Sequence, residues 1–268
     1  MSENIETRKE EWTRVIFEAQ LANTQIVAPS TRFGELSLED AYEVQLSVAD
    51  EWVKQGERQL GWKVGATSLA ILEQMKGRIT EPMYGFLRSG AVFGGRGVVR
   101  RSHFYSFGLE AEIGVVMGQT LRGPNVTAID ATHAVKSVVA LAEVLDGRIA
   151  GQPSDRTIMD GAADNGLHGG IILGSKIVSA KGFDFEHEGV VVRIDGELHA
   201  SACGVEALGN PLNVVAWLAN ALSRQGRALE PGQIISTGSL TKIIEAGPEQ
   251  VVAMSWANLG TIHLRIIE

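Results

Sequence analysis

Apolar positions in the first sixty residues recur with the period of a helix. Between Glu6 and Asn23, Trp12, Val15, Ile16, Ala19 and Ala22 fall three or four apart among charged residues, the spacing of one buried helical face. A second stripe, Ala41, Val44, Val48 and Trp52, follows Ser37, which is placed to cap the helix with Asp40 three residues later; Gly56 ends it. Beyond Gly61 glycine and β-branched residues become frequent and the period shortens to two. Strands are predicted at Trp62–Gly65, Gly108–Met117, Val138–Leu145, Gly169–Leu173, Val190–Ile194, Gln233–Ser236 and Ile262–Ile267. Asp195–Gly196 has the composition of a two-residue hairpin turn. Two helices are predicted within this region, one over Ala128–Lys136 after Thr127, the other carrying Leu212, Val215, Leu218 and Leu222 and ending at Gly226. Strands and helices do not alternate regularly, which argues against a doubly wound sheet. An α+β fold fits better, with a helical N-terminal segment (residues 1–60) on a mixed β-roll or sandwich (residues 61–268) forming one integrated unit.

Three carboxylates interrupt these apolar runs. Glu110 and Glu112 alternate with Leu109, Ala111 and Ile113, so a strand puts both on one face with backbones about 7 Å apart. Glu143 lies within the Val138–Leu145 segment. Solvated glutamates on a half-exposed sheet satisfy this pattern. So does a site where three carboxylates converge on a hard divalent cation such as Mg²⁺ or Mn²⁺. Lys63, in "GWKVGATS", interrupts another apolar strand; it either snorkels outward or serves to bind a substrate carboxylate or move a proton. "MDGAADNGLHGG" gathers Asp160, Asp164, Asn165 and His168 in a glycine-rich stretch that reads as a ligand loop or as a tight turn. Thr237, Gly238, Ser239 and Thr241 follow a strand, where exposed amides and hydroxyls suit an anion or ordinary turn chemistry.

Composition narrows the partners. A formal net charge of −8 argues against a nucleic-acid footprint or an anionic membrane surface, and leaves an anionic substrate in need of a local positive centre. Cys203 is the only cysteine, so neither an internal disulfide nor a thiolate cluster is possible. The N-terminus lacks the apolar stretch of a signal peptide and no run approaches transmembrane length, so a cytoplasmic location is expected. The six histidines show no His-Glu-x-x-His spacing, with His103, His187 and His199 expected at the surface or in turns, and no Gly-x-Ser-x-Gly elbow occurs.

The blocks "LEDAYEVQ", "GWKVGATS", "EPMYGFL", "LEAEIGVVM", "LRGPNVT", "AEVLDGRI", "ADNG", "GNPLNVVAWLANAL" and "GQIISTGSLT", taken in order, resemble the hydratase/decarboxylase branch of the fumarylacetoacetate hydrolase superfamily. The resemblance implies a β-roll like the C-terminal domain of fumarylacetoacetase. It implies a metal-dependent lyase of aromatic ring-cleavage catabolism that hydrates a 2-hydroxy-2,4-dienoate to a 4-hydroxy-2-oxo acid. It further implies that Glu110, Glu112 and Glu143 hold one Mg²⁺ or Mn²⁺, that Lys63 is catalytic, and that Asp164, Asn165, Gly238 and Ser239 contact substrate. A homo-oligomer is expected, with a hydratase/decarboxylase complex as a further partnership. Met83 departs from the pattern, being apolar where hydratases of this branch carry an acid, and points instead to a 4-oxalocrotonate-type decarboxylase. A non-catalytic paralogue serving as a complex subunit is the remaining alternative.

Overall fold

Capping and burial account for the helices of the N-terminal part. The computed structural model describes residues 4–68, 81–94, 96–151 and 156–268. Helix α1 (Ile5–Ala22) starts at Asn4, whose side chain accepts from the Glu6 amide, and stops at Asn23 in the left-handed conformation. After the short α2 (Pro29–Phe33), Ser37 caps α3 (Leu38–Lys54) by accepting from the Asp40 amide. The two apolar stripes meet: Trp12, Ile16, Ala41, Val44 and Val48 are fully enclosed, and Phe17 meets Trp52 edge-on at 5.3 Å.

The remainder forms two sheets. A seven-stranded sheet runs in the order β2 (Met83–Arg88), β1 (Gln59–Gly65), β10 (Ile234–Ser236), β5 (Gly108–Met117), β6 (Val135–Leu145), β7 (His168–Ser179), β3 (Val92–Gly94). A five-stranded sheet runs β4 (Arg96–Arg100), β12 (Gly260–Ile267), β11 (Val251–Trp256), β8 (Gly189–Ile194), β9 (Glu197–Cys203). Strand β12 touches β6 and β7, so the sheets share a core with helix α6 (Pro211–Ser223). The long β5–β6 pairing shows why. Leu109, Ala111, Ile113 and Val115 lie opposite Val144, Ala142, Ala140 and Val138 on one face, all completely buried. The opposite face carries Glu110, Glu112 and Glu143.

Most predicted elements are present, with instructive differences. Helix α4 (Ala128–Ala134), capped reciprocally by Thr127 and Asp130, stops two residues before the predicted end because Val135 already pairs with Met117 as strand. The turn at Asp195–Gly196 has both residues at positive φ, 52° and 88°, as a type I′ hairpin requires. Strand β7 is longer than expected, and β2, β3, β4 and β11 were not expected as strands. The stretch beginning at Met159, read as a loop, opens within helix α5 (Ile158–Ala163). There Asp160 is structural: its carboxylate accepts from Ser30 N (2.9 Å), Ser30 Oγ (2.6 Å) and Thr157 N (2.7 Å). Among the described residues no helix is long and apolar enough to cross a membrane.

Candidate metal centre and cleft

Strand register brings the three glutamates together. Glu110 and Glu143 are direct cross-strand partners on β5 and β6, and Glu112 follows two residues along the same face. One carboxylate oxygen from each lies within 4.8 Å of the others. Glu112 and Glu143 are fully buried, whereas Glu110 is partly open to a cleft. The solvated reading is thereby excluded for Glu112 and Glu143.

The hydrogen bonds are unequal around the cluster. Glu112 Oε2 accepts from the Ser236 hydroxyl and, at 2.9 Å, from the Gly238 amide. Glu143 Oε1 receives His168 Nδ1 at 2.8 Å and lies 3.1 Å from Lys63 Nζ. Glu112 Oε1 and Glu143 Oε2 are buried with no protein partner. Two buried carboxyl oxygens left without a partner are costly, and a bound cation would satisfy both. Oxygen-only donors around one point suit a hard divalent ion, so the residues present fit such a group.

The electrostatics follow from burial. Glu110 is raised to about 7 by burial and by the Glu143 charge, only partly offset by Lys63. Burial and the charges of Glu143 and Glu110 push Glu112 well above the carboxylate range, despite the bonds from Ser236 and Gly238. Burial acts on Glu143 in that sense too, but Lys63 and His168 outweigh it and hold its carboxyl low. Lys63 is likewise held protonated: burial would lower it, and the charges of Glu143, Glu110 and Glu112 more than compensate. Burial lowers His168, which is therefore neutral near pH 7. Because the Glu143 carboxylate only accepts, the imidazole proton sits on Nδ1 and leaves Nε2 as an unpartnered acceptor.

These shifts make a prediction for pH. A carboxyl raised in the folded state binds its proton more tightly there than in the unfolded chain, so its ionisation costs stability. For Glu110 the favourable contribution is complete below the ordinary value of 4.5 and is lost as pH rises through about 7. An ion that neutralises the cluster therefore has more to restore at higher pH. The rise in Tm produced by Mg²⁺ is expected to be larger at about pH 8 than at about pH 5.5. A thermal shift of equal size at both would exclude these carboxylates as the binding groups.

Other expected site residues are placed as follows. Lys63, 4% exposed, does not snorkel; its Nζ donates to Gly166 O at 2.8 Å. Asn165 spends its side chain on the β2 backbone, accepting from Phe86 N (2.7 Å) and donating to Phe86 O (2.9 Å). Asp164 accepts from Gln20 Nε2 (3.0 Å) and Arg148 Nε (3.2 Å), and burial raises its carboxyl despite Arg148. Gly238, at φ 92°, turns its amide onto Glu112; a Cβ there would lie 2.0 Å from Thr67 Oγ1. Ser239 borders the cleft and donates to Thr241 O at 2.8 Å. Sequence reading singles out His168 without its strand setting and passes over Arg148. His168 begins β7 opposite Leu145, its glycine-rich surroundings disguising a strand. Arg148 joins Asp146 (3.1 Å) to Asp164 and also donates to His168 O (3.2 Å), bracing the 164–168 turn. His103, His187 and His199 are exposed.

Two adjoining pockets form the cleft and share Lys63, Gly65, Ala66, Gly166 and Leu167 in their linings. A part of about 140 Å³ includes Glu110 and Ser239. The other, of about 280 Å³, is bordered by Met83, Tyr84, Ile149 and Arg156.

Known proteins are similar to this chain in sequence and fold. The chain is 30% identical over 256 residues to 2-keto-4-pentenoate hydratase of Paraburkholderia xenovorans (strain LB400), covering 96% of this chain and 94% of that one. It is 31% identical to 2-oxo-hept-4-ene-1,7-dioate hydratase of Escherichia coli, with 93% and 94% covered. The structure of 4-oxalocrotonate decarboxylase from Pseudomonas putida G7, complexed with magnesium and adipate, superposes with a TM-score of 0.92 at 30% identity over 99% of both chains. Residues 62–267 match the fumarylacetoacetate (FAA) hydrolase C-terminal family. With its two curled sheets, its N-terminal helices and these relatives, the chain belongs to the fumarylacetoacetate hydrolase family.

Proposed function

We propose that the protein is a divalent-metal-dependent lyase that hydrates a short 2-hydroxy-2,4-dienoate, a product of aromatic ring cleavage, to a 4-hydroxy-2-oxo acid. The observation that carries this reading is the trio of carboxylates with two buried, unpartnered oxygens beside a protonated lysine at the cleft. Glu110, Glu112 and Glu143 would hold Mg²⁺ or Mn²⁺. When bound, the ion supplies Lewis acidity toward the 1-carboxylate and 2-oxygen of a 2-oxo acid. Lys63, kept cationic, stabilises negative charge on the same oxygens and donates to them, and is not a base. His168 and the Gly238 amide are positioning groups that aim Glu143 and Glu112. Asp164 and Ser239 are assigned to the cleft wall that meets substrate, while Asn165 acts through Phe86. The chemistry balances as one added water: the 2-hydroxyl proton leaves, C5 gains a proton to give the 2-oxo-3-enoate, then water delivers hydroxyl to C4 and a proton to C3. An oligomer built on the β-roll is part of this proposal.

Decarboxylation of a 2-oxo-3-enedioate is the second reading. It is favoured by Met83, an apolar side chain on the cleft wall, since loss of CO₂ into a dienolate needs no group to direct water. Incubation with Mg²⁺ and 2-hydroxypenta-2,4-dienoate tests the first reading; dienol absorbance is expected to fall faster than the spontaneous rate. No acceleration, with CO₂ released from 4-oxalocrotonate, would replace hydration by decarboxylation. Neither reaction, with no Mg²⁺ binding by calorimetry, would reject both.

A further inference from the structure

Three successive residues of the turn ahead of β7, Asn165, Gly166 and Leu167, have φ of 61°, 62° and 64°. Asparagine tolerates this left-handed region and glycine enters it freely. A leucine there brings its Cβ close to its own carbonyl oxygen and has no polar group to bond in compensation. The conformation is held from several sides. Asp146 N donates to Leu167 O (2.7 Å), Lys63 Nζ donates to Gly166 O (2.8 Å), and the Asn165 side chain is fixed on the Phe86 backbone. Glycine would occupy the position of Leu167 without the steric penalty. Nor does the core require the leucine: it is 38% exposed, with Cδ2 3.6 Å from where a Cβ on Gly147 would stand. A bulky residue kept in a strained conformation at a cleft points to function. Among the described residues, five border both pockets: Lys63, Gly65, Ala66, Gly166 and Leu167. Gly65, Ala66 and Gly166 carry a methyl group or no side chain, and Lys63 ends in a charge. Leu167 is the one bulky apolar side chain at that junction.

We infer that Leu167 is a specificity-determining residue: its side chain narrows the passage between the two pockets and selects a 2-oxo acid unbranched at C3. This rests on the 2-oxo acid reading above, which puts the 1-carboxylate and 2-oxygen at the Glu110 end beside Lys63. C3 is then the first carbon to leave that end and pass the junction. The flat C–H of a dienoate slides past a leucine that a methyl branch would strike, and a well-held apolar wall discriminates by a single carbon in this way. The left-handed backbone is what aims the side chain there: the bonds to Leu167 O and Gly166 O fix the turn, and the strain is held by them rather than relaxed.

Two isomeric acids, 2-oxopentanoate and 3-methyl-2-oxobutanoate, isolate the contact, since they differ only in where the last carbon is attached. In the presence of Mg²⁺ the wild-type protein is expected to bind the straight-chain acid at least about tenfold more tightly, measured by calorimetry. In Leu167→Ala and Leu167→Gly this preference should fall below about threefold. Leu167→Gly should also melt about 2 °C or more above Leu167→Ala, because glycine alone takes this φ without a steric penalty. Equal binding of the two acids by the wild type, or a preference kept in either variant, overturns the assignment and leaves the metal-centred function standing. Equal melting of the two variants removes the strain from which the role of Leu167 is argued and overturns it. Binding of neither acid by the Mg²⁺-loaded wild type overturns the 2-oxo acid reading and the assignment together.

Discussion

Glu112→Gln is expected to weaken Mg²⁺ binding by at least about 100-fold and to reduce turnover to background, without lowering the Tm of the ion-free protein. The first part follows from losing one of three anionic donors. The second follows from what the amide keeps: its carbonyl oxygen still accepts from the Ser236 hydroxyl and the Gly238 amide, which hold Glu112 now. What disappears is a carboxyl whose ionised form burial and its acidic neighbours already disfavour, so the neutral amide costs the ion-free protein little. Paired thermal melts with and without Mg²⁺ check this. A variant that melts as low without the ion as a misfolded protein, or that retains the full Mg²⁺ shift, contradicts the role given to Glu112.

The complementary result is expected from Lys63→Met. Removing the cation should reduce kcat by about 10³-fold, because negative charge developing on the substrate oxygens loses its fixed counter-charge. Mg²⁺ affinity should be kept or increased, since a positive neighbour of the carboxylates has gone. The ion-free protein should lose about 3 kcal/mol, as Glu143 is left buried without its partner at 3.1 Å. The two variants therefore exchange phenotypes: one loses the ion and keeps its stability, the other keeps the ion and loses stability. Denaturant titration in chelator, beside calorimetric Mg²⁺ titration, separates them. If Lys63→Met were as stable as wild type in chelator, the lysine would not be the resident counter-ion of Glu143.

Local periodicity made much of this legible. Glu110 and Glu112 announce a shared face because every intervening residue is apolar, and Glu143 stands out as an acid within an apolar strand. Their meeting is not local: it depends on Glu110 lying opposite Glu143 rather than opposite Val144 or Ala142, a matter of long-range register. Strand β2 is concealed by Pro82 and Gly85. The structure explains that glycine, since a Cβ there would come within 2.4 Å of Asn165 Oδ1. Arg148 is visible as "LDGRI", but nothing nearby tells that its second aspartate is Asp164. The same holds for Asp160, whose partners Thr157 and Ser30 lie three and 130 residues away.

The opposition of Glu110 and Glu143 has a consequence for how the chain finds its shape. Sliding one of the two strands by a single position would swing an anion into the lipid-like interior among Leu109, Ala111 and Ile113, with no positive neighbour to soothe it. Misaligned hairpins are thus penalised by the very groups that catalysis would recruit. The acids proofread assembly before they ever meet a reactant.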